Sequence, residues 1–408
     1  MASGDALGNL KGLRITSLDG DDEEEREQEI AIDEDDDDDE DEEAEDSVIL
    51  GFLKKPKNPR SLLRHLFPSK AGGVPAWLDP VNLPSGRSCL CDICGEPLQF
   101  VLQVYAPEDK ECTFHRTLFV FMCTSMDCLR RDQHEQWKRP PHKPSRSVKV
   151  FRCQLPRHNA FYSSEPPKKD DKASGTAVAL CNWCGTWKGT KHCSSCRRAI
   201  YCSEKHRVKH CNFGHEPDCK RVRISSQSYD SSHDNSGAAM ELQKEVACNT
   251  LWPEYKIIQE DESAYDTQMS EDNVCGSSLV PRNRTDESIM SSLLEAFEGD
   301  GDRKSWASFE ERIGMAPEQI LRYCSSTCAK PLWPMSSGQP SKADIPKCRY
   351  CNGSLRFEFQ ILPQLLYYFH VRNDINSLDW ATVVVYTCEA SCEASVAYKE
   401  EFVWVQLS

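Results

Sequence analysis

The feature that most constrains the fold of this chain is a cysteine-containing stretch that occurs twice. The first copy begins at Cys91 and reads CDICGEPLQFVLQV, and the second begins at Cys348 and reads CRYCNGSLRFEFQI. The copies align without a gap, and each ends in the alternation of residues that is typical of a half-buried strand. Each is followed by a strand-like run and a second cysteine pair. We therefore predict two related β units, separated by inserted residues.

Each predicted unit offers four thiols in two pairs, which is a donor set typical of structural zinc. A CxxC pair supplies two thiolates from one tight turn, and a second pair completes a tetrahedron. The alternative, that these cysteines pack as small apolar residues, does not explain why they recur together with their strands. We predict one Zn²⁺ per unit. The predicted ligands are Cys91, Cys94, Cys123 and Cys128 in the first unit and Cys348, Cys351, Cys388 and Cys392 in the second.

The cysteine content also indicates the cellular compartment. The chain has 22 cysteines, and no stretch of it resembles a secretory signal or is apolar enough to span a membrane. We therefore expect an intracellular protein. Cysteines stay reduced inside cells, so this number of them favours metal binding over disulfide bonds.

The negative charge of the chain is concentrated in one segment. Residues 19–46 hold 21 acidic residues and one arginine, a net charge of −20, which leaves the rest of the chain at +4 against a total of −16. Such a segment cannot bury apolar surface, and its charges repel one another. We predict that residues 1–47 are a disordered acidic tail. The tail either only keeps the chain in solution or screens a basic partner.

A different cysteine-rich segment lies between the two predicted β units. From Cys181 to Cys219 its spacing is C-x2-C-x8-C-x2-C-x5-C-x3-H-x8-H-x3-C. Eight donors in so short a segment fit two tetrahedral zinc ions and leave almost no apolar core. This spacing resembles a MYND zinc finger. The resemblance implies two interleaved sets: Cys181, Cys184, Cys202 and His206 on one ion, and Cys193, Cys196, His215 and Cys219 on the other.

One position departs from the common MYND pattern, which has a cysteine where this chain has His206. Imidazole is as good a zinc ligand as a thiolate. The departure nevertheless leaves His210 and Cys211 as alternative ligands at that corner of the site.

The composition divides the chain into six segments. They are the disordered acidic tail (1–47), the N-terminal half of a β module (48–162), a linker (163–180), the MYND zinc finger (181–219), a mostly disordered spacer (220–302) and the C-terminal half of the β module (303–408). Within the spacer, residues 251–258 have the composition of a strand and are predicted to dock on the β module. Residues 304–323 are predicted to be helical, with a second helix beginning at Pro317.

The predicted fold class is therefore α+β and mainly β. The two halves form a duplicated zinc-stapled β module, and the finger is inserted between them. The acidic tail and the spacer are predicted to be disordered.

Short motifs in nearly every ordered segment resemble those of one known family. They are FPSK, GG-x-PAWL, LQVYAP, FHRTLFVF, PEY-x-I, ILRYC, PLW, DIP-x-C-x-x-C, RFEFQILPQLL, LDW and EEFVW. In this order, between Leu50 and Gln406, they resemble the programmed cell death protein 2 family. The resemblance implies a β-rich core made by both halves, with the MYND finger projecting from it.

The resemblance also implies a function in the assembly of the small ribosomal subunit. Members of the family act as chaperones that capture one newly made small-subunit ribosomal protein, universal protein five, and so support 40S biogenesis and pre-rRNA maturation. This implies a basic ribosomal protein as the main partner, and a location in the cytoplasm and nucleus. The finger is expected to bind a peptide. We expect no membrane partner and no direct binding to nucleic acid.

Two other classes of function fit parts of the sequence. A MYND-type nuclear adaptor in transcription, proliferation or apoptosis control would use the finger but leaves the repeated β units unexplained. An enzyme is disfavoured because the chain has no P-loop, GxGxxG, HExxH or GxSxG motif. Four protein ligands at each zinc would also leave no open position for a reactive water. We therefore predict a non-enzymatic binding protein.

Overall fold

The computed structural model describes residues 48–138, 145–167, 179–217, 219–221, 252–266, 301–324, 330–372 and 374–408. The predicted acidic tail, most of the predicted linker and most of the predicted spacer lie outside these residues. Within these ranges, none of the helices combines the length and the apolarity that crossing a bilayer requires.

The described residues contain twelve strands, ten of which close into one antiparallel barrel. In chain order the strands are β1 (Val48–Lys54), β2 (Lys70–Ala71), β3 (Gln99–Tyr105), β4 (His115–Met122), β5 (Val148–Leu155), β6 (Lys191–His192), β7 (Ile200–Tyr201), β8 (Tyr255–Asp261), β9 (Leu321–Cys324), β10 (Leu355–Ile361), β11 (Thr382–Cys388) and β12 (Tyr398–Gln406). Around the barrel the order is β1-β8-β2-β3-β4-β5-β12-β11-β10-β9, and β9 pairs with β1 to close it. Closure leaves no open strand edge.

The barrel combines strands from distant parts of the chain. β5 of the N-terminal segment pairs with β12 of the C-terminal segment, with Cys153 opposite Tyr398. On the other side, β8 lies between β1 and β2, so a strand from within the predicted spacer completes the wall. Neither the N-terminal nor the C-terminal strands could close a barrel alone.

The barrel interior and its outer face are both apolar. Leu118 and Val120 of β4 pack in one buried interior cluster with Val385 of β11. The alternate residues Phe119 and Phe121 belong to a second cluster, outside the barrel wall, and are also fully buried. Successive side chains of a strand point to opposite faces, so β4 is covered on both sides.

The strands that follow the two CxxC sequences pair in the same way. β3 pairs with β4 and β10 pairs with β11, and each pair has one register shift. The shift lies between Phe100 and Leu102 in the first pair and between Phe357 and Phe359 in the second. These are the same positions of the repeated stretch. A β-bulge bends its strand, so both strands are bent at the same point.

In both halves, the segment that covers the outer face is held by the same kind of hydrogen bond. The side-chain oxygen of Gln103 accepts a hydrogen bond from the backbone N–H of Ala76 at 2.8 Å. The oxygen of Gln360, at the same position of the second copy, accepts one from Leu332 at 2.7 Å. Each of these bonds places a tryptophan, Trp77 in the first half and the partly buried Trp333 in the second, over the barrel wall.

One end of the barrel interior is charged. Arg116 of β4 is fully buried and donates to both carboxylate oxygens of Glu358 of β10, at 2.7 and 2.8 Å. Thr387 also donates to Glu358, at 2.5 Å. Although burial acts in the opposite direction, these partners hold the pKa of Glu358 at about 2. A second pair, Arg152 with Glu401 at 2.5 Å, also joins the two halves.

The described residues contain five α-helices. They are α1 (Met126–Gln136), α2 (Glu204–His210), α3 (Ser263–Asp266), α4 (Gly301–Gly314) and α5 (Gln364–Tyr368). The predicted helix at 304–323 is only partly correct, because α4 ends at Gly314 and the second helix predicted from Pro317 is absent. The residues after it form β9, whose backbone groups bond to β1 and β10 instead.

Candidate metal centres

The structure brings the sixteen predicted ligands together in four sets of four. In each set the ligand atoms all lie within 4.8 Å of one another. The Cys91 cluster is Cys91, Cys94, Cys123 and Cys128; the Cys348 cluster is Cys348, Cys351, Cys388 and Cys392; the Cys181 cluster is Cys181, Cys184, Cys202 and His206; the Cys193 cluster is Cys193, Cys196, His215 and Cys219.

The spacing of the donors fits zinc. Sulfur ligands about 2.3 Å from a tetrahedral ion lie about 3.8 Å from each other. Cys94 and Cys123 are 3.6 Å apart, and Cys348 and Cys392 are 3.7 Å apart. In the two other clusters, the sulfurs of Cys184 and Cys202 are 3.9 Å apart, and those of Cys193 and Cys219 are 3.8 Å apart. Disulfide sulfurs would be about 2.0 Å apart, so these are groups of free thiols around a common centre.

The local sequence explains how each CxxC turn forms. Gly95, directly after the first pair, has a φ of +69°, and its N–H bonds to the carbonyl of Cys91 at 2.9 Å. Asn352 takes the same place after the second pair, with a φ of +61° and a bond of 2.8 Å to Cys348. Glycine and asparagine are the residues that best tolerate this left-handed conformation.

The strands deliver the second pair of each cluster. Cys123 directly follows β4, and Cys388 is the last residue of β11, so the strand end places one sulfur beside the CxxC turn. Cys128 then comes from α1, one residue further along than its counterpart Cys392. Each cluster therefore ties a strand end to the segment that covers the barrel.

The sulfurs of one cluster compete for negative charge. A hydrogen bond from Cys123 lowers the pKa of Cys91 to about 5, while the same bond raises the pKa of Cys123 well above its ordinary value. A bound divalent cation would remove this competition, because it favours the thiolate form of every ligand. The donor set therefore fits a zinc ion, which would supply a structural crosslink here.

The clusters of the finger segment, residues 181–219, interleave along the chain. His206 Nδ1 lies 3.3 Å from the sulfur of Cys202 and 3.7 Å from that of Cys181. His215 Nε2 lies 3.6 Å from the sulfur of Cys196. Ser203 caps α2 by accepting a hydrogen bond from the N–H of His206, which fixes the helix turn that carries this ligand.

The two alternative ligands lie elsewhere. Nδ1 of His210 is 3.0 Å from the hydroxyl of the buried Tyr201. Cys211 is exposed and lies outside the four clusters. The structure thus places His206, rather than His210 or Cys211, beside Cys181, Cys184 and Cys202. His115 is also buried outside the clusters, with its Nδ1 3.1 Å from the hydroxyl of Tyr105.

The finger segment packs on the barrel, which corrects the expectation that it projects from it. Trp187 is fully buried in the outer cluster, and its ring centroid lies 4.3 Å from that of Phe121. Its indole N–H donates to the carbonyl of Leu98 at 2.8 Å. In return, the indole of Trp77 donates to the carbonyl of Thr186 at 2.9 Å. The expectation fails because the large outer face of β3, β4 and β5 needs a cover.

Comparisons with known proteins agree with the motifs. Family models described as the N-terminal domain of programmed cell death protein 2 and its C-terminal putative domain match residues 47–169 and 303–407. Programmed cell death protein 2 of Bos taurus is 34% identical over 367 residues, which is 88% of this chain and 95% of the relative. The chain belongs to the programmed cell death protein 2 family.

A more distant relative also matches this chain, whereas the comparison with solved structures gives no match. Programmed cell death protein 2-like of Homo sapiens is 29% identical over 344 residues, covering 79% of this chain and 85% of that protein. No solved structure matches the chain. The programmed cell death protein 2 family is not a known enzyme family. The family models match the two halves that build most of the barrel, and they leave the finger segment between them.

This family member also has a groove on its C-terminal half that the sequence did not predict. It lies between α4 and the outer side of β1, β9 and β10, and its volume is about 660 Å³. Met315, Leu332 and Phe357 form apolar parts of the wall, and Arg312 and Lys330 add charge. No motif indicates this groove, since its walls come from segments far apart in the chain.

Sequence reasoning also missed the residues that join the finger segment to the barrel. Trp187 closely follows the CNWC turn, and the sequence alone does not distinguish it from the side chains of the finger segment. The one available signal is that this large apolar side chain lies in a glycine- and threonine-rich loop. A small finger has little core in which to bury a tryptophan, so its burial needs another part of the chain.

Proposed function

We propose that this chain is a non-enzymatic chaperone that holds a newly made small-subunit ribosomal protein, universal protein five, and thereby supports 40S biogenesis and pre-rRNA maturation. The observation that carries the proposal is the family relationship over both halves of the barrel. The chaperone would act in the cytoplasm and the nucleus. The proposal takes this function from the family that the sequence motifs resemble.

The charge distribution supports this proposal. Ribosomal proteins are strongly basic, and residues 19–46 of this chain carry a net charge of −20. Opposite charges speed the encounter of two proteins and disfavour competing partners such as RNA. The acidic tail would therefore screen the basic parts of the client, while a shaped surface holds the client.

The metal clusters support a structural role for zinc. Each cluster offers four protein donors, which satisfies a tetrahedral ion and leaves no position for a reactive water. We infer that the finger segment is a MYND finger with two zinc ions and that the barrel is a duplicated zinc-stapled module with two more. The matching bulges and glutamine contacts of the two halves support the duplication.

The groove on the C-terminal half is the best candidate for client contact. It is within the size range of binding sites, and apolar and charged groups line it together. Met315 is half-buried in its wall, so Met315→Glu would place a charge against an apolar part of the client without disturbing the barrel core. Ile375→Glu is the matched control, since Ile375 is exposed outside the groove.

The test is co-purification of the client with each variant at low and high salt. Met315→Glu should lower the amount of bound client at both salt concentrations, and Ile375→Glu should not. Deleting residues 1–47 should slow capture mainly at low salt, because the Debye length falls from about 10 Å at 0.1 M to about 3 Å at 1 M. Client binding that withstands loss of residues 301–408 would refute the proposal.

One observation favours the second candidate, a nuclear adaptor. Phe213 of the finger segment is 78% exposed, and its ring lies 5.7 Å from that of Trp183. An exposed aromatic side chain on a small finger is suited to contact an apolar peptide. If Phe213→Ser abolishes the activity in cells while the ribosomal client still co-purifies, the adaptor function is favoured. Tyr367→Ser, which removes an equally exposed ring elsewhere, is the control.

A further inference from the structure

The contact between the finger segment and the barrel involves two metal clusters at once. Cys91, Cys123 and Cys128 belong to the buried outer cluster of the barrel, together with Trp77 and Trp187. Cys184 and Cys202 of the Cys181 cluster pack against that same group of side chains. A single apolar core therefore contains ligands of the Cys91 cluster and borders ligands of the Cys181 cluster.

Charged groups join the same two clusters at the surface. Lys205 of α2 donates to the backbone carbonyl of Cys94 at 3.3 Å and to Glu96 at 2.8 Å. Lys209 donates to the other oxygen of Glu96 at 3.0 Å. Lys205 is the neighbour of the ligand His206, and Cys94 is itself a ligand. We call Trp77, Glu96, Trp187, Lys205 and Lys209 the finger seam.

The backbone carries a third connection. The indole N–H of Trp187 bonds to the carbonyl of Leu98, which directly precedes β3. The carbonyl of Trp187 in turn accepts a hydrogen bond from the N–H of the ligand Cys181, at 2.9 Å. Loss of order at the Cys181 cluster would therefore release the tryptophan that closes the core beside the Cys91 cluster.

The Cys348 cluster provides the contrast. Its CxxC turn contacts its own half, where Arg349 pairs with Glu400 at 3.2 Å and the hydroxyl of Tyr350 accepts from the N–H of Glu400 at 2.8 Å. In the described part of the chain, the hydrogen bonds and ion pairs of this turn stay within the C-terminal half, and none of them reaches the finger segment. The molecule thus carries one finger-linked barrel cluster and one without that link.

We propose that the Cys91 cluster and the Cys181 cluster bind their metal ions cooperatively through the finger seam, whereas the finger seam does not affect metal binding by the Cys348 cluster. The seam residues are positioning residues that act through the ligands. A coupling of this kind is reciprocal, so each cluster strengthens metal binding at the other by the same factor. Couplings between sites in proteins commonly change affinity about 5-fold to 150-fold.

The test uses the full chain loaded with zinc and measures each cluster separately. The zinc-loaded protein is exposed to a chelator and a thiol-alkylating reagent, and peptide mass spectrometry gives the rate of alkylation at each cysteine. Cys94 and Cys351 are a matched pair of reporters, because both are exposed ligands of barrel clusters. Cys211 is an exposed thiol outside the clusters and calibrates the reagent.

The main variant is Glu96→Lys, which replaces two attractions at the seam by repulsions. We expect alkylation at Cys94 and Cys184 to become at least about fivefold faster, while the rate at Cys351 stays the same. Reversing the charge of both lysines in the Glu96→Lys chain (Lys205→Glu and Lys209→Glu) should restore the slow alkylation rates. Glu216→Lys is the matched control, since Glu216 pairs with Lys220 away from the seam.

A second variant addresses the core of the seam. Trp187→Phe keeps most of the apolar volume but removes the bond to Leu98, and we expect the same selective effect in smaller degree. Equal acceleration at Cys94 and Cys351 in Glu96→Lys would show general destabilisation and overturn the proposal. No acceleration at Cys94, or acceleration at Cys94 without any at Cys184, would overturn it as well.

Discussion

The two halves of the barrel have the same four-cysteine cluster and the same bulge, but their outer faces are covered differently. In the N-terminal half, Trp77 and Trp187 bury Phe119 and Phe121 completely. In the C-terminal half, Trp333 and its neighbours leave Leu355 and Phe402 only half-buried, with the groove beside them. The two halves therefore differ in how much of their outer face is open to other molecules. The finger segment closes the outer face of the N-terminal half, whereas the C-terminal half keeps an open groove.

The barrel clusters should have the largest effect on stability, and in both halves alike. Apparent binding free energies of structural zinc are about 10–16 kcal/mol at pH 7, and this energy is folding energy. We expect Cys91→Ser and Cys348→Ser each to abolish cooperative thermal unfolding, because both halves contribute strands to one barrel. Circular dichroism measures this, together with zinc content, which should be four ions per native chain. Cys112→Ser, outside the clusters, is the control. Two or fewer zinc ions in the native protein would contradict the assignment of the barrel clusters.

The buried ion pair between the halves should have the next largest effect. Arg116 and Glu358 are both almost completely buried, and Glu358→Gln would remove the closest charge partner of the guanidinium, leaving it only the carboxylate of Glu108 at 3.5 Å. We expect a loss of about 3–5 kcal/mol in the free energy of unfolding, measured by urea denaturation. The double variant Arg116→Met with Glu358→Leu should recover much of the loss, since apolar pairs of similar volume often replace buried ion pairs well. A loss below about 1 kcal/mol in the single variant would show that the halves are not held together here.

Replacing the tryptophan that covers each half should cost different amounts of stability in the two halves. Trp77 is 5% exposed and bonds to the finger segment, whereas Trp333 is only partly buried. We expect Trp77→Ala to cost about 3–5 kcal/mol, as for other fully buried large side chains, and Trp333→Ala to cost clearly less. Equal losses, measured by urea denaturation, would mean that the two covers are energetically equivalent and that the contrast drawn above is wrong.

Much of the candidate site could be predicted because short stretches of sequence specify its turns and its strand. A CxxC turn needs only a residue that tolerates a positive φ after the second cysteine, and Gly95 and Asn352 supply it. The strand at Tyr255–Asp261 was also indicated by its own composition. The spacing of the finger ligands, taken with the MYND pattern, likewise indicated which donors meet.

The parts that could not be predicted depend on contacts between distant residues. Leu321–Cys324 follows a helical pattern, but its place between β1 and β10 decides its structure. Trp187 bonds to Leu98, which is 89 positions away in the chain. Tertiary pairing overrides local propensity at such points, and a sequence without its partners gives no sign of it.

The smallest predicted effect concerns Gln103 and Gln360, which hold the two covers. Gln103 donates to the carbonyl of Pro68 at 2.9 Å and accepts from Ala76, while Gln360 donates to the carbonyl of Leu332 at 2.9 Å and accepts from the same residue. Both side chains are 1% exposed, so replacement by alanine leaves buried backbone groups unpaired, at a cost of about 1–3 kcal/mol. We expect similar losses of stability in Gln103→Ala and Gln360→Ala. Their effects on the client should differ, because Leu332 forms part of the groove and Ala76 does not. Gln360→Ala should therefore weaken co-purification of the client and Gln103→Ala should not. If both variants weaken it equally, client binding follows overall stability, and the groove has no special part in it.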